Sequence, residues 1–559
     1  MTLPLDAVPA PRLIDSPGGL SDYLQSTLRG DAWSGHAGLP LQDWLALGED
    51  CSEDSYRLAQ RLGVPLLRLE QAPPQPGAVV LLPPETARRL RAVPLIERQG
   101  VVAVAMENPA DAEGMESLNF LLRQRVLPLV VSPRDMREAI AAHYDKVEDI
   151  EIARQLGLDP NQHGETSEVE AQRLSREKPV VRIVHQLISE AIARRASDIH
   201  LRPAEHGIDV LYRIDDEMVP VRRFLRAVQA AVVSRIKVLG NMNLAEHRRP
   251  QDGRTSFSLP DGRKVDLRIS VLPAVFGESV VVRLLDTDQS LWNLEQLGLS
   301  AADRLRLNDI MERSHGMFLT TGPTGCGKST TLYAMLLEMR KQPINILTVE
   351  DPVELYVDDI QQMQVNRAVD FTFASALRNF LRHDPDVIMV GEIRDHETAE
   401  IAVESALTGH LVLSTLHTNT AAATVTRMLD LGVEAYLLRA SLLAVMSQRL
   451  VRLTCTHCKE VEVVPPHMRE RLGVAPEEVF YRGHGCSHCE GLGVHKRRAV
   501  YELMLVSPAI QGLIQPGAAA DEIHRIAVAE GMTPITQAAL AVAREGSISL
   551  AEVWRVRAD

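Results

Sequence analysis

Gly322-Pro-Thr-Gly-Cys-Gly-Lys-Ser329 decides the reading of this chain. It has the spacing of a phosphate-binding loop, G-x-x-x-x-G-K-S, and its flanks suit that geometry. Met317-Phe-Leu-Thr320 before it is a short apolar run of strand type, and Thr330-Thr-Leu-Tyr-Ala-Met-Leu-Leu337 after it is apolar and rich in helix formers. Strand, glycine loop and helix start are needed in that order. Glycines let successive backbone N–H groups turn toward one anion, and the helix N-terminus adds positive potential at the same point. Gly322, Pro323, Thr324, Gly325, Cys326, Gly327, Lys328, Ser329 and Thr330 are therefore the candidate nucleotide-binding residues. Lys328 can reach the β- and γ-phosphates of ATP, and the Ser329 hydroxyl can ligate Mg²⁺.

The 559 residues should hold roughly three to five domains. Apolar content is 45% and charged content 24%, as in ordinary globular proteins; aromatics are only 4%, so Leu, Val, Ile and Ala must build the cores. A net charge of −14 argues against a nucleic-acid partner. No apolar run approaches the roughly 18–20 residues that cross a bilayer. Met1-Thr-Leu-Pro-Leu-Asp6 lacks the basic and apolar parts of a signal peptide. A cytoplasmic location follows as the expectation, with any membrane attachment made through a partner and no direct span.

Four of the six cysteines form two pairs, Cys455-x-x-Cys458 and Cys486-x-x-Cys489. In a cytoplasmic chain this pattern reads as a structural Zn²⁺ site, with each turn presenting two thiolates. His457, His484 and His488 stand nearby and read as loop residues. Cys326 lies within the phosphate loop, where neighbouring charge would lower its pKa; the plainer reading is a small residue tolerated in a tight loop.

The chain reads as an α/β multidomain protein. Residues 1–145 form a small N-terminal α/β domain, with little periodicity over 1–40, helix over 41–70, and a buried strand at Val101–Met106. Residues 146–178 are polar and charged and read as a linker. Residues 179–290 form an α+β domain in which Asp252-Gly253 and Asp261-Gly262 both read as turns. The second turn makes a hairpin with Lys264–Val271, whose Val265, Leu267, Ile269 and Val271 share one face. Residues 291–559 alternate strand and helix around the phosphate loop, which implies a mostly parallel sheet. Residues 451–500 within them form the zinc module, and 505–559 are mainly helical.

Three further segments carry candidate chemistry. Ile344-Asn-Ile-Leu-Thr-Val-Glu-Asp-Pro-Val-Glu354 is a strand ending in carboxylates, placed where a sheet-bound phosphate would sit; one of them can polarise water. Asp386-Val-Ile-Met-Val-Gly-Glu392 has the form of a Walker B strand, with Gly391 where Asp is common and Glu392 left to serve Mg²⁺. Thr408-Gly-His-Leu-Val-Leu-Ser-Thr-Leu-His-Thr-Asn419 puts His417 and Thr418 at a strand end, where they can sense the γ-phosphate; His410 is the weaker candidate. Arg378 and Arg382 share a face of a helix expected over Phe373–Arg382 and can contact phosphate in trans.

In this order the segments resemble the secretion ATPases of the type II secretion and type IV pilus superfamily, which carry a Walker A loop, an aspartate box, a Walker B strand and a histidine box. Ala196-Ser-Asp-Ile-His-Leu-Arg-Pro203, Pro250-Gln-Asp-Gly-Arg254 and Glu107-Asn-Pro-Ala-Asp111 fit the domains that precede the ATPase. The likeness covers roughly residues 85–510 and is nearest to the E proteins of the general secretion pathway, the type II secretion branch. It implies a RecA-like P-loop core with a zinc-binding insertion, and a homohexamer with ATP at subunit boundaries. It also implies Glu354 as the catalytic acid, Glu392 as the Mg²⁺-linked acid, and docking on inner-membrane secretion platform proteins. Two features depart from the pattern: Cys326 replaces a commoner Ser, and Val494-His-Lys-Arg-Arg-Ala-Val-Tyr501 is unlike the usual glycine-arginine stretch.

Overall fold

The computed structural model describes residues 9–30, 38–47, 53–158, 172–205, 207–259, 261–286, 293–489 and 491–557. It divides into two compact units. One comprises residues 1–288 with 455–458 and 483–493; the other comprises 289–454, 459–482 and 494–559.

The first unit opens with a five-stranded sheet in the spatial order Leu13–Ile14, Leu66–Leu67, Arg125–Val130, Val101–Met106, Ala92–Arg98. Every residue of Val101–Met106 is buried, as befits a strand with neighbours on both sides in a mostly parallel sheet. Two segments depart from expectation. Pro17–Arg29 is a helix: Ser16 accepts the Gly19 N–H, Pro17 opens the first turn, and Gly30 ends it at φ 74°. Those start and stop signals stand in a stretch whose Gly18-Gly19 pair hides the apolar period. Within 41–70 the helices are Leu41–Ala46 and Glu53–Leu62, whereas Leu66–Leu67 is a strand paired in parallel with Leu13–Ile14.

The linker assigned to 146–178 requires correction. Lys146–Gln155 is a helix, and Ile152, Ala153 and Leu156 pack into the core of the following domain. Asp149, fully buried, pairs with Arg222 at 2.8 Å and accepts the Leu225 N–H at 2.7 Å. A charged composition concealed one apolar stripe. Residues 159–171 of the linker lie outside the described residues.

That domain is a six-stranded antiparallel sheet, ordered Glu217–Leu225, Gly207–Ile214, Asp198–Ala204, Gly277–Asp286, Lys264–Ala274, Gln251–Ser258. Helices Lys178–Ala193 and Arg226–Leu239 contribute to its core. Val265, Leu267, Ile269 and Val271 are buried as their alternation requires. Asp261-Gly262 is a turn, with Gly262 at φ 87° and the Leu259 N–H bonded to the Arg263 carbonyl. Asp252-Gly253 is not a turn but part of a strand. A Cβ on Gly253 would lie 2.3 Å from the Gly240 carbonyl oxygen, so this glycine serves a close approach of two backbones.

The second unit is built on a seven-stranded sheet, ordered Gln361–Gln364, Ile346–Glu350, Val387–Val390, Leu411–Leu416, Gly316–Thr321, Leu442–Thr454, Val494–Leu505. All pairings are parallel except the last. Two apolar cores draw on alternate residues of these strands: Met317, Leu319, Leu347 and Val349 in one, Phe318, Ile346, Val387 and Met389 in the other. The C-terminal segment is helical as expected, at Pro508–Leu513, Ala520–Ala529, Ile535–Arg544 and Leu550–Val556.

Candidate functional site

Parallel pairing brings four strand ends to one edge of the sheet. Gly316–Thr321 delivers the phosphate loop, Ile346–Glu350 the segment to Glu354, Val387–Val390 the acid Glu392, and Leu411–Leu416 the residues His417 and Thr418. Such a carboxyl edge is where ligands of open α/β sheets bind.

In the loop, Gly322, Gly325 and Gly327 have φ of 142°, 78° and 91°, which L side chains rarely adopt. At Gly327 a Cβ would also lie 2.7 Å from the Gln448 side-chain nitrogen. The helix starts at Lys328 and runs to Met339, with Thr330 exposed and Ser329 half-buried in its first turn. The loop's backbone and this helix start suit a phosphate chain. Lys328 is buried; its Nζ donates to the carbonyls of Gly322 at 2.8 Å and Pro323 at 3.0 Å. Burial lowers its pKa, while Cys326, Glu392 and Glu354 pull it back upward. Both acids thus lie within electrostatic reach of the lysine. Burial raises the Cys326 thiol despite nearby Lys328 and Arg449, so the loop does not activate it.

Glu392 is largely buried, paired with Arg394 at 2.7 Å and His417 Nε2 at 3.3 Å. Gly391 sits in Walker B position where Cβ space is limited by the Val349 carbonyl at 3.3 Å, and its N–H bonds that carbonyl at 2.8 Å. The Thr418 hydroxyl joins those of Thr321 and Thr424, each at 2.7 Å. Glu354 is exposed on its loop. Ser329 and Glu392 are the residues that would hold Mg²⁺, and the bound ion would neutralise phosphate charge. Glu354 can accept a proton from an attacking water.

Three predicted residues stand apart from this group. His410 bonds the Ser405 carbonyl through Nδ1 at 2.9 Å, before its strand rather than after it, which makes it a turn residue. Arg378 pairs with Glu397, and Arg382, just beyond the helix Phe373–Phe380, bonds the Asn379 side chain. Sequence reasoning missed Gln448 and Arg449. Gln448 accepts the Thr331 hydroxyl at 2.8 Å; Arg449 donates to the carbonyls of Gln448 and Asn419 at 3.0 and 2.9 Å and lies beside Gly322. Their only signal is position, opposite the loop on the adjoining strand Leu442–Thr454.

The cysteines Cys455, Cys458, Cys486 and Cys489 are buried together, with all four Sγ atoms within 4.8 Å of one another. Three Sγ pairs stand 3.7–3.8 Å apart. A Zn–S length of about 2.3 Å gives a tetrahedral edge of about 3.8 Å. The N–H groups of Gly485, Cys486 and Gly493 point at Cys458 or Cys489 sulfur at 3.1–3.3 Å, as thiolates require. The donor set fits Zn²⁺. The rings of His457 and His488 meet at a tilt, 3.9 Å between centroids, and are not part of the four-sulfur group.

Residues 173–555 match the family described as type II/IV secretion system protein, and residues 62–150 match the MshEN domain. The chain belongs to the type II/IV secretion system protein family. Among curated relatives, the type II secretion system protein E of Aeromonas hydrophila is 39% identical over 495 residues, covering 86% of this chain and 97% of that one. The type IV pilus assembly ATPase PilB of Thermus thermophilus is 40% identical over 506 residues, covering 89% of this chain; the match spans 56% of that relative's length. Among solved structures, the ATPase DotB of Yersinia pseudotuberculosis covers 66% of the chain and 92% of its own at 22% identity and a TM-score of 0.52, a likeness of fold. The secretion family match begins before the six-stranded sheet and runs through the C-terminal helices, further than the motifs alone reached. Among the described residues of this family member, no helix is long and apolar enough to cross a membrane.

Proposed function

We propose that the chain is a cytoplasmic ATPase that drives pseudopilus assembly and protein export by a type II secretion system. The observation that carries the reading is the convergence of Lys328, Glu354, Glu392 and His417 on one sheet edge around a complete phosphate loop. Lys328 meets the phosphates, Ser329 and Glu392 serve Mg²⁺, and Glu354 takes the proton of the attacking water. His417, hydrogen-bonded to Glu392, responds to the γ-phosphate. Arg378 and Arg382 act in trans across the boundaries of a homohexamer, which explains why both stand apart from their own chain's phosphate loop. Zn²⁺ on the four cysteines is structural, since the four sulfurs leave no ligand position open. Inner-membrane platform proteins hold the ring at the membrane, and no nucleic acid takes part.

Assembly of a type IV pilus is the second reading, favoured by the relative of Thermus thermophilus. Disrupting the gene and scoring both exported proteins and surface pili separates the two. Loss of export with pili intact supports the first reading; loss of pili with export intact replaces it with the second.

A further inference from the structure

The loop that carries Glu354 is tied to the phosphate-loop helix by a buried polar chain whose members have been given no role above. Tyr333 lies in the second turn of that helix and is 3% exposed. Its hydroxyl donates to Glu350 Oε2. Glu350, the last residue of its strand, is 4% exposed. Its Oε1 accepts the Thr348 hydroxyl at 2.7 Å and the Gln362 amide at 3.3 Å. The same Gln362 amide nitrogen donates to the Leu355 carbonyl at 2.9 Å, and its Oε1 accepts the Val357 N–H at 2.8 Å. Leu355 follows Glu354 directly. A separate bond, from the Val353 N–H to the Gln364 side-chain oxygen at 3.4 Å, holds the other side.

The ring of Tyr333 belongs to an apolar core, so a phenylalanine would pack there equally well. The hydroxyl is what needs explaining, because a carboxylate and a phenol are costly to bury unless each satisfies the other. Burial raises the Glu350 carboxyl and, more strongly, the Tyr333 phenol, so the phenol stays protonated and donates. The chain of bonds thus runs from the helix that starts at Lys328 to the backbone directly after Glu354.

We infer that Tyr333, acting through Glu350 and Gln362 and directly on the Leu355 N–H at 3.5 Å, is a positioning residue that fixes Glu354 relative to the phosphate loop. This rests on the reading of Glu354 as the catalytic acid. Misplacing a reacting group by about 1 Å can cost on the order of a hundredfold in rate without changing affinity. The test uses full-length Tyr333→Phe, Gln362→Leu, the double variant and Glu354→Gln. ATP hydrolysis gives kcat and KM, a fluorescent ATP analogue gives affinity, and hydrogen exchange follows residues 351–357. Tyr333→Phe should lower kcat by about tenfold to a hundredfold, with KM and analogue affinity within about twofold of wild type. Exchange should quicken across 351–357 while the strand Gly316–Thr321 stays protected. Gln362→Leu should do the same, and the double variant should lose little more, since both cut one chain of bonds. Unchanged kcat in Tyr333→Phe beside an inactive Glu354→Gln would overturn the inference. So would a parallel loss of kcat, affinity and protection throughout the sheet, the mark of a general packing role. Full activity in Glu354→Gln would remove that residue's role, and exchange at 351–357 would still decide whether Tyr333 anchors the loop.

Discussion

Replacing Glu502 by alanine should destabilise the second unit by an amount the structure allows to be worked out. Glu502 lies on the strand Val494–Leu505 and is 1% exposed. One oxygen accepts the Ala421 N–H at 2.7 Å and the other the Ile535 N–H at 3.2 Å. Each of these residues opens a helix, Ala421–Asp430 and Ile535–Arg544, and both are fully buried. A single carboxylate therefore serves two helix starts that have no water to turn to. Alanine leaves two buried donors unsatisfied at about 1–3 kcal/mol each. Relief from burying a carboxylate offsets part of this, leaving a net loss of about 2–4 kcal/mol. At roughly 2–4 °C per kcal/mol for a unit of this size, the melting transition should fall by about 4–16 °C. Scanning calorimetry of the full chain measures it, with hydrogen exchange at residues 417–423 as the local readout. Ala421 follows the loop of His417 and Thr418, so exchange should quicken there first. A transition within about 1 °C of wild type, with 417–423 still protected, would refute the capping argument.

Purified protein should carry about one Zn²⁺ per chain, and Cys455→Ser should lower it severalfold in elemental analysis. Chelation should quicken exchange at 455–458 and 483–493 before the sheet strands, because among the described residues the buried cluster there consists of the four cysteines; a metal-free, fully protected segment would contradict this. Burial raises the Glu502 carboxyl, so the folded chain takes up its proton at higher pH than the unfolded chain does. Wild-type stability measured against Glu502→Gln should therefore grow as pH falls from that raised value toward the unfolded value of about 4.3, and a flat difference would refute it. Arg378→Ala and Arg382→Ala remove exposed pairs and should leave melting nearly unchanged, yet lower assembled ATPase activity by about a thousandfold if the arginines reach a neighbour's phosphates; full activity in the assembled ring would end that role.

Much of the second unit was legible because the four strands that carry the site are buried throughout and read as apolar runs. The phosphate loop, Glu392 and His417 follow from those strand ends. The side-by-side order of the strands that gathers them does not, since nothing in a single run states its neighbours. Gln448 and Arg449 were missed for that reason: they act on the phosphate loop only because their strand lies beside Gly316–Thr321. Glu350 stands in a strand end rich in carboxylates, but its burial, and so its difference from exposed Glu354, depends on Tyr333 and Gln362. The helix Lys146–Gln155 was hidden because its charged residues outnumber its apolar stripe, and Asp149 gains its partner Arg222 from a strand far along the chain. Asp252-Gly253 misled because a turn and a close backbone approach both demand glycine, and only the fold tells them apart.

The central claim is that Glu354 activates water for a nucleotide held by the Lys328 loop. Single-turnover hydrolysis of ATP with Mg²⁺ by Glu354→Gln, beside Lys328→Ala, tests it most directly. The account predicts that Glu354→Gln binds ATP as wild type does but hydrolyses it at least about a hundredfold more slowly, because an amide cannot accept the proton of water. Lys328→Ala should lose binding and hydrolysis together. Hydrolysis by Glu354→Gln at the wild-type rate would contradict the account.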